Sequence, residues 1–291
     1  MSSKNSPDGK QIHWYPGHMA SAARQLRENW RHIDAVIEVA DARIPRASRN
    51  PLFLDFRPAK PHLLLLSHAD LADDKAGSLW LDYFKDQPLT PLFCDLRQPG
   101  AIRQIRRELL VFHAPLLEKA KKQGRLVRPL RILVAGIPNT GKSTLINQFV
   151  GKRSARVEAR PGVTRQLNWL RSGTELHFLD SPGILPAKLD DRQAALALAA
   201  TGAIRDSILP MESLARWLFL ELTRSYAGLM GARYGAEATF EEAAVRMGCL
   251  LTEGEIDVLR FSQVLLDDFR SGRIGAITFE RPFDEGEVQN G

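Results

Sequence analysis

Gly136-Ile137-Pro138-Asn139-Thr140-Gly141-Lys142-Ser143 fills every fixed position of the phosphate-loop template G-x-x-x-x-G-K-[S/T]. It lies between an apolar run, Leu130 to Ala135, and a helix-like segment, Lys142 to Val150. In that strand–loop–helix setting, glycines let the backbone wrap close enough for N–H groups to face phosphate oxygens. Lys142 supplies a cation and Ser143 a hydroxyl for magnesium. A chance Gly-rich turn would need neither the strand before it nor the Lys-Ser pair after it. Pro138, Asn139, Thr140, Gly141, Lys142, Ser143 and Thr144 are therefore the expected contacts of a nucleotide.

Working outward, Asp180-Ser181-Pro182-Gly183 closes the apolar stretch Leu176 to Leu179. A carboxylate at the end of a buried strand beside phosphates is a second magnesium determinant, and Gly183 of the same turn is expected at the nucleotide. Between the two motifs, Arg160-Pro161-Gly162-Val163-Thr164 is a polar, turn-rich segment. Its Thr164 can offer a hydroxyl to magnesium once a γ-phosphate is present. Upstream instead of downstream stands a candidate base-recognition turn, Ser67-His68-Ala69-Asp70. Singly, a Pro-Gly turn or a strand-end Asp is unremarkable; the ordered set points to function.

With Trp14-Tyr15-Pro16-Gly17-His18-Met19, Asp41-Ala42-Arg43-Ile44-Pro45 and Ser48-Arg49-Asn50-Pro51, these motifs resemble the YlqF/RbgA family of circularly permuted ribosome-assembly GTPases. The likeness runs from about Trp14 to Thr201-Gly202-Ala203-Ile204-Arg205-Asp206. It implies GTP as substrate, Mg2+ held by Ser143, Thr164 and Asp180, and the large ribosomal subunit and its rRNA as partners. His18 maps to the histidine given the catalytic role, which suits a chain where Ile184 fills the position of a water-orienting glutamine. By resemblance to potassium-stimulated GTPases, Asn139 would hold K+. The family's base turn reads Asn-Lys-Ala-Asp, so Ser67 and His68 depart from it while Asp70 keeps the carboxylate for guanine. His68 is left either stacking on the base or simply solvated.

Alternating elements argue a largely parallel sheet with helices on both faces. Met19 to Arg31 reads as a basic helix, and Ile33 to Ala40, His62 to Leu66, Leu92 to Cys94, Arg131 to Ala135 and Leu176 to Leu179 read as strands. Asp41, Asp70, Gly136 and Asp180 then fall at the carboxyl ends of strands, where such folds bind ligands. The expected fold is an α/β, circularly permuted P-loop GTPase domain (21–189) after an N-terminal segment (1–20). A small helical C-terminal domain (190–291) for RNA or ribosome binding, with a loose acidic tail, follows. There Ala194 to Ala200, Ser213 to Tyr226 and Val258 to Phe269 carry helical stripes. Thr252 and Glu255 suggest a capping box for the last of them, and Gly228, Gly231 and Gly235 suggest a flexible connection.

The chain of 291 residues is 44% hydrophobic and 25% charged, which suffices for one α/β core and a smaller domain. Two cysteines, Cys94 and Cys249, make neither a disulfide framework nor a C-x-x-C metal site. Apolar runs such as Leu63 to Leu66 are too short to span a bilayer. A monomer in the reducing cytoplasm, without membrane insertion and without DNA, is expected. The net charge of +6 suggests a polyanionic partner, with Arg97, Arg103, Arg106, Arg107, Lys119, Lys121, Lys122, Arg125, Arg128 and Arg131 crowding one region. A solvated helix face is the plainer reading of such a run. A nucleotide-gated RNA-binding module with little turnover and a P-loop ATPase remain the rival readings.

Overall fold

The computed structural model describes residues 17–50, 59–151, 168–181, 183, 191–204 and 209–282. His18 lies in the first turn of a described helix, but its side chain, like all of Thr164 and Ile184, lies outside the described residues.

Among the described residues six strands form one sheet: β1 (Ala35–Asp41), β2 (His62–Ser67), β3 (Thr90–Phe93), β4 (Leu130–Ala135), β5 (Asn168–Ser172) and β6 (Leu176–Asp180). Their order is β3-β2-β1-β4-β6-β5. All pairings are parallel except β5 with β6, an antiparallel edge that the sequence reading did not resolve. In this order β1, first in the chain, pairs with β4, the strand that feeds the phosphate loop. A permuted chain thus keeps the pairing that builds the site, since relocating the ends leaves strand neighbours unchanged.

Strand residues alternate between two apolar layers, as the two-residue period requires. Ile37, Val39, Ile132, Val134 and Phe178 face α3 (Ala101–Lys122) and α4 (Lys142–Val150) through Ile105, Leu109, Leu145 and Phe149. Val36, Leu133, Ala135 and Leu179 face the opposite way. There they meet Leu26 of α1 (Gly17–Asn29), Leu198 of α5 (Arg192–Ala200), Leu218 of α6 (Met211–Ser225) and Leu265 of α9 (Val258–Arg270). A smaller layer sets Trp80 and Phe84 of α2 (Asp74–Lys85) on Leu64 and Leu66. The helices after residue 190 therefore share one continuous apolar cluster with the sheet.

Among the described residues after 190, two helices appear that sequence periodicity did not single out, α7 (Ala227–Tyr234) and α8 (Phe240–Arg246). Gly228 and Gly231 sit inside α7 instead of forming a flexible connection, because Met230 and Tyr234 on the same helix are buried and tertiary packing overrides glycine's weak propensity. Gly235 does end that helix, with φ of +112°. Thr252 and Glu255 cap nothing: α9 begins later, where Asp257 accepts from the Arg260 N–H at 2.9 Å. The capping box belongs to Thr239 and Glu242 at the start of α8. The basic stretch is largely one 22-residue helix, α3, with Arg103, Arg107, Lys119, Lys121 and Lys122 exposed.

Candidate nucleotide-binding site

The carboxyl ends of β1, β2, β4 and β6 meet at one margin of the sheet, where the expected residues gather. The chain leaves β4 through a turn that only glycine accepts. At Gly136 φ is +150°, and a Cβ there would lie 2.2 Å from the Val39 carbonyl oxygen. Gly141, with φ of +89°, turns the chain into α4, so the unpaired N–H groups of that helix's first turn are available to an anion. A cavity of about 440 Å³ opens here, lined in part by Asn139, Gly141, Lys142, Ser143, Thr144 and His68.

Lys142 and Asp180 are both buried, 7% and 4% exposed. Burial pushes the Lys142 ammonium down to about 8, against the pull of Asp180, and pushes the Asp180 carboxyl up to about 6, against the pull of Lys142. Nζ of Lys142 donates to the Ile137 carbonyl at 2.6 Å. Oδ1 of Asp180, by contrast, is buried without a hydrogen-bond partner among the described residues. A buried carboxylate oxygen left unmet is what a hard cation would satisfy, with the Ser143 hydroxyl and phosphate oxygens completing its shell. Among the described residues no group of three or more His, Cys, Asp or Glu could hold a metal alone. Gly183 packs directly on the phosphate loop, since a Cβ there would lie 2.8 Å from the Pro138 nitrogen.

The departures at the base turn have structural consequences. Oγ of Ser67 lies 2.9 Å from the Ala40 carbonyl and 2.7 Å from that of Thr140, so its one proton ties β2 to β1 or to the phosphate loop. That hydroxyl braces the loops in place of the missing asparagine amide. His68 adopts a left-handed backbone, φ +56°, and turns its ring to the Asn139 carbonyl, 3.2 Å away. The imidazole thus contacts the phosphate loop, an outcome neither stacking nor simple solvation anticipated. Asp70 is ion-paired with Arg97, whose Nε also donates to Asp95 at 3.1 Å. Only Nη2 of the guanidinium meets Asp70, so a cationic N–H donor occupies the carboxylate expected to receive the N–H donors of guanine.

Arg43 and Arg270 also line the cavity, and no role was read for either from the sequence. Arg43 is 3% exposed and clamps Asp41 at 3.0 and 2.7 Å, leaving Nη1 buried without a partner among the described residues. Arg270 donates to the carbonyls of Ala200 and Ala199 at 2.9 and 3.0 Å. Close by, Asn139 donates from its amide nitrogen to the Gly202 carbonyl at 2.6 Å. These bonds link the phosphate loop to the end of α5 and on to α9. Asp41-Ala42-Arg43 and Thr201-Gly202 were visible as motifs, but no template assigns them chemistry.

Known proteins bear directly on this geometry. The chain is 38% identical over 283 residues to ribosome biogenesis GTPase A of Bacillus cereus, covering 95% of this chain and 96% of that protein. The chain belongs to the ribosome biogenesis GTPase A family. Ribosome biogenesis GTPase A of Bacillus licheniformis is 39% identical, over 94% of this chain and 99% of its own length. A GDP-bound structure of TM YlqF superposes with a TM-score of 0.66 at 26% identity, covering 90% of this chain and all of that one. A GNP-bound YlqF from T. maritima gives a TM-score of 0.64 at 25% identity, over 91% and 99%. Residues 131–216 match the model of a 50S ribosome-binding GTPase. Within the ribosome biogenesis GTPase A family, the fold and the permuted order of motifs read from the sequence are thus accounted for.

Proposed function

We propose that this protein is a GTPase of ribosome assembly that binds Mg2+ and GTP at the Lys142–Asp180 margin and acts on the large subunit. The observation that supports this reading most is the buried pair itself: a lysine and an unmet carboxylate oxygen facing a complete phosphate loop, in a chain of this family. Lys142 and the first N–H groups of α4 neutralise and position the phosphates. Ser143, Asp180 and Thr164 would hold Mg2+, which would supply positive charge against the phosphates. Asn139 would meet K+ through its amide oxygen, its nitrogen being turned to Gly202. Asp70 selects guanine once Arg97 releases it, and His68 fixes the loop against which the base sits.

His18 orients the attacking water, a role that an imidazole neutral near pH 7 can fill and Ile184 cannot. Residues 21–189 carry the nucleotide, while 190–291 engage RNA, with the exposed cations of α3 adding attraction to phosphates. The protein works as a monomer in the cytoplasm. No described helix is long and apolar enough to cross a membrane. Co-sedimentation with purified large subunits in GDP, GTP and a non-hydrolysable analogue tests the reading. Association should be strongest with the triphosphate and fall steeply with salt. Equal pelleting in all nucleotide states would count against a nucleotide-timed step on the subunit.

A further inference from the structure

Away from the nucleotide, a second cavity of about 550 Å³ is lined by Asn29, His32, Arg131, Trp169, Arg171 and His177, without a carboxylate. It lies on the sheet face that carries Leu133 and Leu179, toward the β5 edge. Register places Arg171 opposite His177 across β5 and β6, and His177 beside Arg131 across β6 and β4. Three basic side chains therefore stand in a row at strand spacing, about 5 Å apart. Arg31 donates from Nε to Nε2 of the lining His32 at 3.1 Å, another guanidinium bonded to the lining. The carboxylate beside Arg131, Asp34, is already taken by Arg128 at 2.7 Å and by the Arg131 backbone N–H at 2.9 Å. Burial, then the charges of Arg171 and Arg131, hold the His177 imidazole below its usual range.

Two guanidinium groups flanking an imidazole held toward its neutral form, with no anion among the lining residues, are electrostatically incomplete. Beside them Trp169 shows 43% of its surface, a large aromatic side chain left partly exposed. Aromatic surface next to guanidinium groups is the arrangement that grips single-stranded nucleic acid, with the base on the ring and the phosphates on the cations. An acidic peptide would satisfy the arginines but leave the indole without a stacking partner. The volume falls within the range of about 300–1,000 Å³ of pockets that enclose small ligands.

We infer that this cavity is a docking site for an unpaired RNA nucleotide, stacked on Trp169 with its flanking phosphates on Arg131 and Arg171. The inference rests on the proposed role on the ribosomal subunit for the source of that RNA. Its position gives it a consequence. Trp169 stands five residues after Thr164, and Asn29 ends the helix that begins at Gly17 beside His18. A nucleotide held here would touch both the strand that follows Thr164 and the helix that carries His18, the two positions proposed to act in hydrolysis.

A fluorescently labelled uridylate hexamer titrated into the full-length protein tests the site by anisotropy. Trp169→Ala should weaken binding about tenfold and Trp169→Phe should restore most of it, because stacking needs a ring and not a particular one. Arg131→Gln with Arg171→Gln should lower the slope of log affinity against log salt by about 1.4, two single-strand contacts. GTP affinity, unchanged in every variant, reports that the fold is intact. Hexamer binding unaffected by both sets of changes overturns the inference, as does equal displacement of the hexamer by poly-glutamate. Should the hexamer fail to bind while subunits still co-sediment in a nucleotide-dependent way, this site falls and the broader function stands. Hexamer binding that responds to these changes, without any subunit association, keeps the site and removes the broader function.

Discussion

Lys142 and Asp180 illustrate how a site prepared for ligands is poised without them. Both charges are buried, each holds the other's titration back only in part, and one carboxylate oxygen has no described partner. Because burial raises the Asp180 carboxyl to about 6, a proton competes with Mg2+ below that pH. Mg2+-dependent GTP affinity, measured by calorimetry, should therefore be level above pH 7 and fall about tenfold per unit below 6. A flat profile down to pH 5 would remove Asp180 from the metal site. Arg97 makes a separate prediction. It is exposed and occupies Asp70, the carboxylate proposed to select guanine, so Arg97→Gln should tighten GTP binding by up to about fivefold, the equivalent of an exposed pair worth ~0.2–1 kcal/mol. Weaker binding would make Arg97 a contact of the nucleotide. The sequence announced Lys142, Ser143 and Asp180 because fixed spacing encodes them. It could not show Arg97 on Asp70, since that pair joins loops 27 residues apart and no template specifies it.

At the level of elements, the strands were legible because their apolar runs are short, buried and bounded by turn residues. β5 was not: Asn168-Trp169-Leu170-Arg171-Ser172 sets its two apolar residues side by side between polar ones, without the alternation of a half-buried strand, and its antiparallel place follows from pairing with β6. The helices after residue 190 were legible where stripes were long, as in α6 and α9, and missed where seven or eight residues, two of them glycine in α7, made the pattern weak. Their stability comes from a shared aromatic cluster. Phe261 lies 4.8 Å from Phe240, 5.8 Å from Tyr234 and 6.4 Å from Phe219 between ring centres, and is wholly buried. Phe261→Ala should cost about 3–5 kcal/mol in denaturant unfolding, through lost transfer energy and a cavity the surrounding helices cannot close. A loss under about 1 kcal/mol, the range of an ordinary surface change, would show that the cluster is not the keystone of this half.

Over the whole molecule, the covalent ends of the nucleotide site are tied to the C-terminal helices by polar bonds as well as by the apolar cluster. Asn139 reaches Gly202, Arg270 of α9 holds the last carbonyls of α5, and the 277–279 segment pairs with the loops after β1 and β2 through Phe279–Arg43 and Ile277–Leu71 bonds of 2.9 Å. A nucleotide that repositions Asn139 therefore acts on helices far along the chain. Arg270→Ala should leave GTP affinity within about twofold while shrinking the difference in subunit association between GTP and GDP states, by freeing α5 from α9. An undiminished difference would route the coupling elsewhere. On the proposed function, this permuted site hydrolyses GTP and the large subunit accelerates that hydrolysis. Single-turnover GTP hydrolysis with and without purified large subunits, in the parent protein and in Lys142→Ala, measures it most directly. A slow intrinsic rate, strong stimulation by subunits and loss of both in Lys142→Ala are predicted; a rate indifferent to subunits, or one that survives without Lys142, would contradict it.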